Sequence, residues 1–245
     1  MGLLDFIRKI PTANEMTGSL GEWMAKIYMN TYDRVLVLHD VLIKVSDEYT
    51  SQIDLIIIGD RGIFVGEVKL YQGAKIYGDV KKSQWSYYKN GGKYEIYSPI
   101  KQNVKHIEYL KVFLSDFGEL PYFSVVAMFC EDFKVSGEFD GKTLLCNTLP
   151  AMDKGLKLLA GKYPAVLSDE LRQRIYEFIM DNQIAGKEAR IEHKSDVIAY
   201  KNSLEAMKQQ KICPWCKSEL VLRKGKNGEF YGCKTYPKCR YTQNK

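Results

Sequence analysis

Two apolar runs joined by a short polar turn limit what this chain can become more than anything else in it. Ser51-Gln-Ile-Asp-Leu-Ile-Ile-Ile-Gly59 leads through Asp60-Arg61 into Gly62-Ile-Phe-Val-Gly-Glu-Val-Lys-Leu70. Both runs are apolar at odd and even positions, as in strands buried on both faces. Gly59-Asp-Arg-Gly62 is a turn signal, so the runs should form an antiparallel hairpin. A tight hairpin pairing Gly59 with Gly62 also sets Asp54 opposite Glu67, with Cβ atoms about 5 Å apart on one face. Lys69 lies two residues on and points to the same face. Burying an unpaired charge is costly. Two carboxylates this close repel unless a cation lies between them. A divalent metal held by hard oxygens beside a lysine meets that demand. So does a salt-bridged triad in which Lys69 neutralises one acid. Asp-Arg is a poor pair for a type I′ turn, and a bulge there would shift the register and separate the acids. The hairpin alone leaves both readings open.

A chain of 245 residues can bury one sizeable core plus a small appendage. Its 45% hydrophobic and 27% charged content suit a globular protein. No apolar run approaches the roughly 18 residues of a membrane span. The start, Met1-Gly-Leu-Leu-Asp-Phe-Ile-Arg-Lys9, has neither a long apolar core nor a cleavage site, and Phe6 argues against a myristoylation signal. The expectation is a cytoplasmic protein with no membrane partner and no small-molecule substrate. Oligomeric state is not legible. The net charge of +6 is uneven. Residues 201–245 hold 11 Lys/Arg against 3 Glu, a net +8, which leaves −2 for residues 1–200. A basic appendage suits a polyanion, although basic tails also serve solubility alone. Cys130 and Cys146 sit in apolar runs and read as buried free thiols of a reducing compartment.

Leu20, Trp23, Met24, Ile27 and Tyr28 make a helical stripe over 17–31, with Glu22 off it and one turn before Lys26. Arg34–Leu38 and Val41–Val45 read as two strands joined by a turn at His39-Asp40. Residues 71–97 are rich in Tyr, Lys and Gly and read as short strands and loops along the rim of a site. Ser98-Pro99 caps a helix with the stripe Ile100, Val104, Ile107, Leu110 and Leu114. Gln102, His106 and Tyr109 lie on a neighbouring face, and His106 reads as a helix-surface residue. Strands near 122–130 and 143–147 follow, then helices near 152–161 and 168–183. Residues 185–210 read as a charged, partly helical linker between a domain over 1–184 and an appendage over 211–245.

Cys213-Pro-Trp-Cys216 and Cys233-Lys-Thr-Tyr-Pro-Lys-Cys239 supply four thiolates in two close pairs, the ligand set of a structural Zn²⁺. A redox role for the first pair is the competing reading, and the second pair weighs against it. A segment of about 35 residues cannot build a core alone, so the metal would hold it together. Trp215, Arg223, Lys224, Lys226, Tyr231, Lys234, Lys238, Arg240 and Tyr241 interleave aromatic and basic side chains, a composition suited to single-stranded nucleic acid. Phe230 and Tyr236 are expected to pack the ribbon instead. The Phe-Tyr-Gly-Cys-Lys-Thr-Tyr-Pro-Lys-Cys239 core resembles the zinc ribbons at the C-terminus of bacterial type I topoisomerases. That resemblance implies DNA binding without a catalytic role.

Further upstream, Gly21-Glu22, the two strands of the hairpin, Gly73 with Gly78-Asp79, and Ser98-Pro-Ile-Lys-Gln102 follow one another in an order that resembles the nuclease-related domain (NERD). The resemblance implies membership of the PD-(D/E)XK superfamily: an α/β, restriction-endonuclease-like fold with a central mixed sheet flanked by helices. It also implies that Asp54, Glu67 and Lys69 are the catalytic D…E-x-K core, with Asp54 and Glu67 holding Mg²⁺ or Mn²⁺. Glu22 would be a helix-borne acid and Gln102 a polar residue facing the site. Ile53 stands where the superfamily motif has Pro. Two expectations follow: a Mg²⁺-dependent DNA endonuclease or nickase whose ribbon holds DNA, or a non-catalytic DNA- or RNA-binding protein that keeps the nuclease fold.

Overall fold

The computed structural model describes residues 35–46, 49–226 and 228–244. The helix expected over 17–31 lies outside them. The chain divides into two compact units, Met1–Ala185 and Gly186–Lys245.

The larger unit is mixed α/β, built on a seven-stranded sheet. Strands β1 (Leu36–Ser46), β2 (Tyr49–Gly59) and β3 (Gly62–Asp79) run antiparallel in sequence order. Strand β6 (Tyr122–Ser136) lies parallel to β3, and β7 (Thr143–Cys146) parallel to β6. The β2–β3 hairpin has the register its turn demands, from Leu55 opposite Gly66 to Gly59 opposite Gly62. Apolar side chains on both faces cannot fix that register, because a slip would bury similar surface. Close approach does fix it. A Cβ on Gly66 would stand 2.9 Å from the Leu55 Cβ. Past a bulge containing Gly73, at φ 68°, β3 exchanges β2 for β4 (Gln84–Lys89) and stays paired with β6. The β4–β5 hairpin (β5, Gly92–Tyr97) turns at Asn90-Gly91, both at positive φ as its tight turn requires.

Helix α1 (Pro99–Phe113) begins at Ser98, whose side chain accepts from the Lys101 amide, with Pro99 in the first turn. Leu110 and Leu114, at its end, pack with Ile175 and Ile179 of α3 (Asp169–Asn182) over Ile56, Ile58, Ile63 and Val65. Met152 and Leu159 of α2 (Leu149–Ala160) cover a separate cluster of Leu55, Ile57, Phe64, Val68 and Phe123. Each fully buried side chain of this size contributes about 1.5–3 kcal/mol before entropy is counted.

Three expectations are corrected. His39-Asp40 is not a turn, since β1 runs through it with Asp40 at φ 54° and the ladder skipping that residue. Val104 is exposed, and the buried face of α1 carries Asn103 and His106. Cys130 is only half-buried, while Cys146 is buried.

In the smaller unit, residues 187–209 form one helix, α4 (Lys187–Gln209), with no buried residue. Strands β8 (Leu220–Gly225), β9 (Gly228–Cys233) and β10 (Thr242–Asn244) follow as a three-stranded antiparallel sheet. No helix among the described residues is long and apolar enough to cross a membrane.

Candidate functional site

The hairpin brings the two acids and the lysine together. Ladder pairing stops at Leu55–Gly66, one step before the acids. Asp54 Oδ2 instead accepts from the Val68 amide at 2.8 Å. Lys69 Nζ stands 2.5 Å from Glu67 Oε1 and 4.0 Å from Asp54 Oδ2. Glu67 is fully buried, Asp54 nearly so, and the Lys69 side chain one-third exposed. Burial, followed by the neighbouring Glu67 charge, pushes the Asp54 pKa up to about 6. Burial alone would raise Glu67 too, but His106 and Lys69 outweigh it and hold that carboxyl below its ordinary value. For Lys69 burial acts downward, and the charges of Glu67 and Asp54 more than reverse it. The cluster is therefore an ammonium beside one firm carboxylate and one that still gains by taking up a cation. Neither Glu67 oxygen receives a well-aligned hydrogen bond, so lone pairs remain on a buried acid.

Gln102 lies on α1 beside this cluster, its Nε2 3.4 Å from His106 Nε2. Glu22 falls outside the described residues. His106, read from sequence as a surface residue, is buried. Its Nε2 stands 3.3 Å from Glu67 Oε2, and its Nδ1 2.9 Å from Ser51 Oγ.

In the smaller unit the sulfurs of Cys213, Cys216, Cys233 and Cys239 all lie within 4.8 Å of one another. Two pairs stand at 3.6 and 3.3 Å. A tetrahedron with Zn–S bonds of about 2.3 Å has edges of about 3.8 Å, so the cluster fits zinc. A knuckle closes around the first pair, Cys213 N donating to Ser218 O and Lys217, at φ 60°, donating back to Cys213 O. Thr235 Oγ1 lies 3.1 Å from Cys233 Sγ and 3.5 Å from Cys216 Sγ, placed to donate to a thiolate.

The family described as Nuclease-related domain (NERD) matches residues 17–129, and the Topoisomerase DNA binding C4 zinc finger matches residues 210–245. This chain carries a nuclease-related domain and a topoisomerase-type zinc ribbon. The nuclease-related segment is 34% identical over 112 residues to an uncharacterized protein of Bacillus anthracis, covering 45% of this chain and 51% of that one. The ribbon is 50% identical over 40 residues to DNA topoisomerase 1 of Methanocaldococcus jannaschii, covering 16% of this chain and 5% of the topoisomerase. It is also 44% identical over 43 residues to the uncharacterized protein YrdD of Escherichia coli, 18% of this chain and 24% of that one. The chain thus spans about half the length of these relatives at most. No solved structure matches it.

The ribbon's surface differs from expectation at three aromatics. Tyr236 is exposed, with the Arg223 guanidinium 5.8 Å from its ring centroid, whereas Tyr231 and Tyr241 pack against the cysteine cluster. Phe230 is half-buried. Trp215 is 69% exposed and meets Tyr241 edge-on at 5.4 Å. Lys224, Lys226, Lys234, Lys238 and Arg240 are exposed, and Arg223 is half-buried, donating to Cys233 O. In the nuclease-related domain, sequence reasoning missed His106 and Asn103. Helical spacing carried the signal, since Gln102 and His106 are one turn apart and Asn103 lies between them.

Proposed function

We propose that the nuclease-related domain hydrolyses phosphodiester bonds in DNA with Mg²⁺ or Mn²⁺, as an endonuclease or nickase, while the ribbon holds the nucleic acid. The assignment covers a nuclease domain over 1–184 of the restriction-endonuclease-like class, a helical linker over 185–210 and a ribbon over 211–245. One observation carries it: two buried carboxylates converge on the Lys69 ammonium, and both oxygens of Glu67 lack an aligned hydrogen bond. Such a donor set fits a hard divalent cation, with Asp54 and Glu67 as its protein ligands. A bound Mg²⁺ supplies Lewis acidity toward phosphate and lowers the pKa of a water. Lys69 stays charged through neutral pH and offsets negative charge as the phosphate becomes five-coordinate. The His106 ring, hydrogen-bonded to Ser51, flanks the Glu67 carboxylate at 3.3 Å. Gln102 offers its amide to a water or a phosphate oxygen, and Glu22 would support the acids. DNA is favoured over RNA by the likeness of the ribbon to DNA-binding fingers.

The test is cleavage of supercoiled plasmid and of single-stranded DNA by wild type and Glu67→Gln, each with Mg²⁺. Equal cleavage by both rejects the site. The 2.5 Å contact between Lys69 and Glu67 favours one alternative, a non-catalytic nucleic-acid-binding protein in which the ion pair is purely structural. In that case DNA binds, nothing is cut, and Mn²⁺ leaves no paramagnetic signature at Asp54 and Glu67.

A further inference from the structure

A row of tyrosines leads outward from the candidate site. Tyr71 follows Lys69 by two residues on β3, so it shares that face of the strand. Its ring centroid is 5.1 Å from that of Tyr87 on β4, and Tyr87 lies 4.9 Å from Tyr94 on β5 with the planes only 19° apart. Tyr87 and Tyr94 are direct cross-strand partners. Exposure grows along the row, from half-buried Tyr71 and Tyr87 to Tyr94 at 49%. Inward of them on the same face, Trp85 and its partner Ile96 anchor the hairpin in a core with Ile76 and Ile100. Lys89 alternates onto the face of Tyr87, while Glu95, the carboxylate of this hairpin, alternates onto the other. Gly92 clears the space that the Tyr94 ring occupies, since a Cβ there would stand 2.7 Å from the Tyr94 hydroxyl.

Packing does not require three adjacent tyrosines that become more exposed with distance from the core. A solvated hairpin needs only polar residues there. Because Tyr94 is stacked on Tyr87, the outer face of the Tyr94 ring, on the same side of the hairpin as Lys89, matches the face of an unpaired base. A duplex hides such faces in its own stack. We infer that Tyr71, Tyr87 and Tyr94 form a packed row whose exposed Tyr94 end takes an unpaired base of a single strand running from the candidate cleavage site. The place of the row beside a scissile phosphate rests on the nuclease proposal, but the stacking does not.

The test uses the full chain without added Mg²⁺ and a short single-stranded oligodeoxynucleotide carrying 5-iodouracil. Irradiation should cross-link the base to the Gly92–Tyr97 strand, and annealing the complementary strand should remove that cross-link. Tyr94→Ala should weaken single-strand binding about five- to hundredfold, the range for loss of one stacked base. Tyr94→Phe, which keeps the ring, should bind as wild type does. Cross-links confined to residues 211–245, with unchanged affinity in Tyr94→Ala, would overturn the stacking at Tyr94. No step reads cleavage, so the result is separate from the Glu67→Gln comparison. A chain that stacks the strand and cuts nothing keeps the stacking at Tyr94 and loses the nuclease proposal.

Discussion

Asp54 titrates in the opposite sense to Glu67, and the difference can be measured. The folded protein raises the Asp54 pKa from 3.8 to about 6, through burial first and the Glu67 charge second. The folded state therefore holds that proton more tightly than the unfolded chain does. Ionising the carboxyl destabilises the metal-free fold, so its contribution falls as pH rises from about 4 to about 6. The effect is on the order of 3 kcal/mol. Glu67, held below its ordinary value, stabilises the fold in its ionised form, and that contribution fades only at lower pH. Thermal melts of metal-free protein across pH 4–6 should show the Asp54 component in wild type and lack it in Asp54→Asn. Adding Mn²⁺ at pH 7 should raise the wild-type Tm and leave the variant unmoved. Identical profiles for the two proteins would remove the assigned charge pattern. Gly78 makes an independent case. A Cβ there would lie 2.4 Å from Trp85 Cδ2, and the Trp85 indole, buried against that backbone, donates to Asp79 O at 3.0 Å. Gly78→Ala should lower stability by about 1–3 kcal/mol, as overpacking does, with a shift in tryptophan fluorescence. An unchanged Tm would mean the indole is free to move.

Helix α1 shows how a polar residue can organise an element. Asn103 Nδ2 donates to Val65 O and to Ser124 Oγ, both at 2.8 Å, and so fastens the helix to β3 and β6 at once. Three residues on, His106 reaches Glu67. Asn103→Ala leaves the Val65 carbonyl short of a donor in a dry site and should cost about 1–3 kcal/mol in denaturant unfolding. If His106 is set by the helix seat, the same change should also weaken Mn²⁺ binding. A variant that loses neither stability nor metal affinity would show α1 to be held by its leucines alone. This helix also marks where sequence reading stops. Ser98-Pro99 announced its start, because a cap is local chemistry. Its buried face was misjudged at Val104, because an apolar stripe assumes that polar residues face water, and here Asn103 and His106 face the sheet. The β2–β3 register was legible, since two glycines bracket the turn. The continuity of β1 was not, because Asp40 absorbs a kink through positive φ that resembles a turn in sequence. The length of α4 was equally hidden. Ile191, Ile198 and Tyr200 are exposed on it, so no packed face imprinted a helical period on those residues.

For the whole molecule, charge and metal divide the work between the two units. The last 45 residues carry a net +8 and the first 200 a net −2. Under the nuclease proposal, long-range attraction to nucleic acid would therefore come mainly from the tail, and the acids at Asp54 and Glu67 would repel phosphate until a cation offsets them. The ribbon core is Cys213, Leu220, Cys233 and Cys239 with Tyr231 and Tyr241 packed on it, too little apolar surface to stand without its metal. Cys233→Ser, or a strong chelator, should release one zinc per chain and change the emission of Trp215, which meets Tyr241 at the edge of that core. The larger unit is built around its own packed clusters, so its thermal transition should stay within a degree or two. Single-strand DNA affinity should fall, and the slope of log K against log salt should flatten by roughly 0.7 for each phosphate contact the ribbon made. Mn²⁺ affinity at the hairpin should not change. Loss of both metals together would overturn the independence of the two sites, and a salt slope that survives the unfolded ribbon would place the polyanion-binding surface on the larger unit. The tyrosine row and Lys89 would then have to carry the strand without the tail.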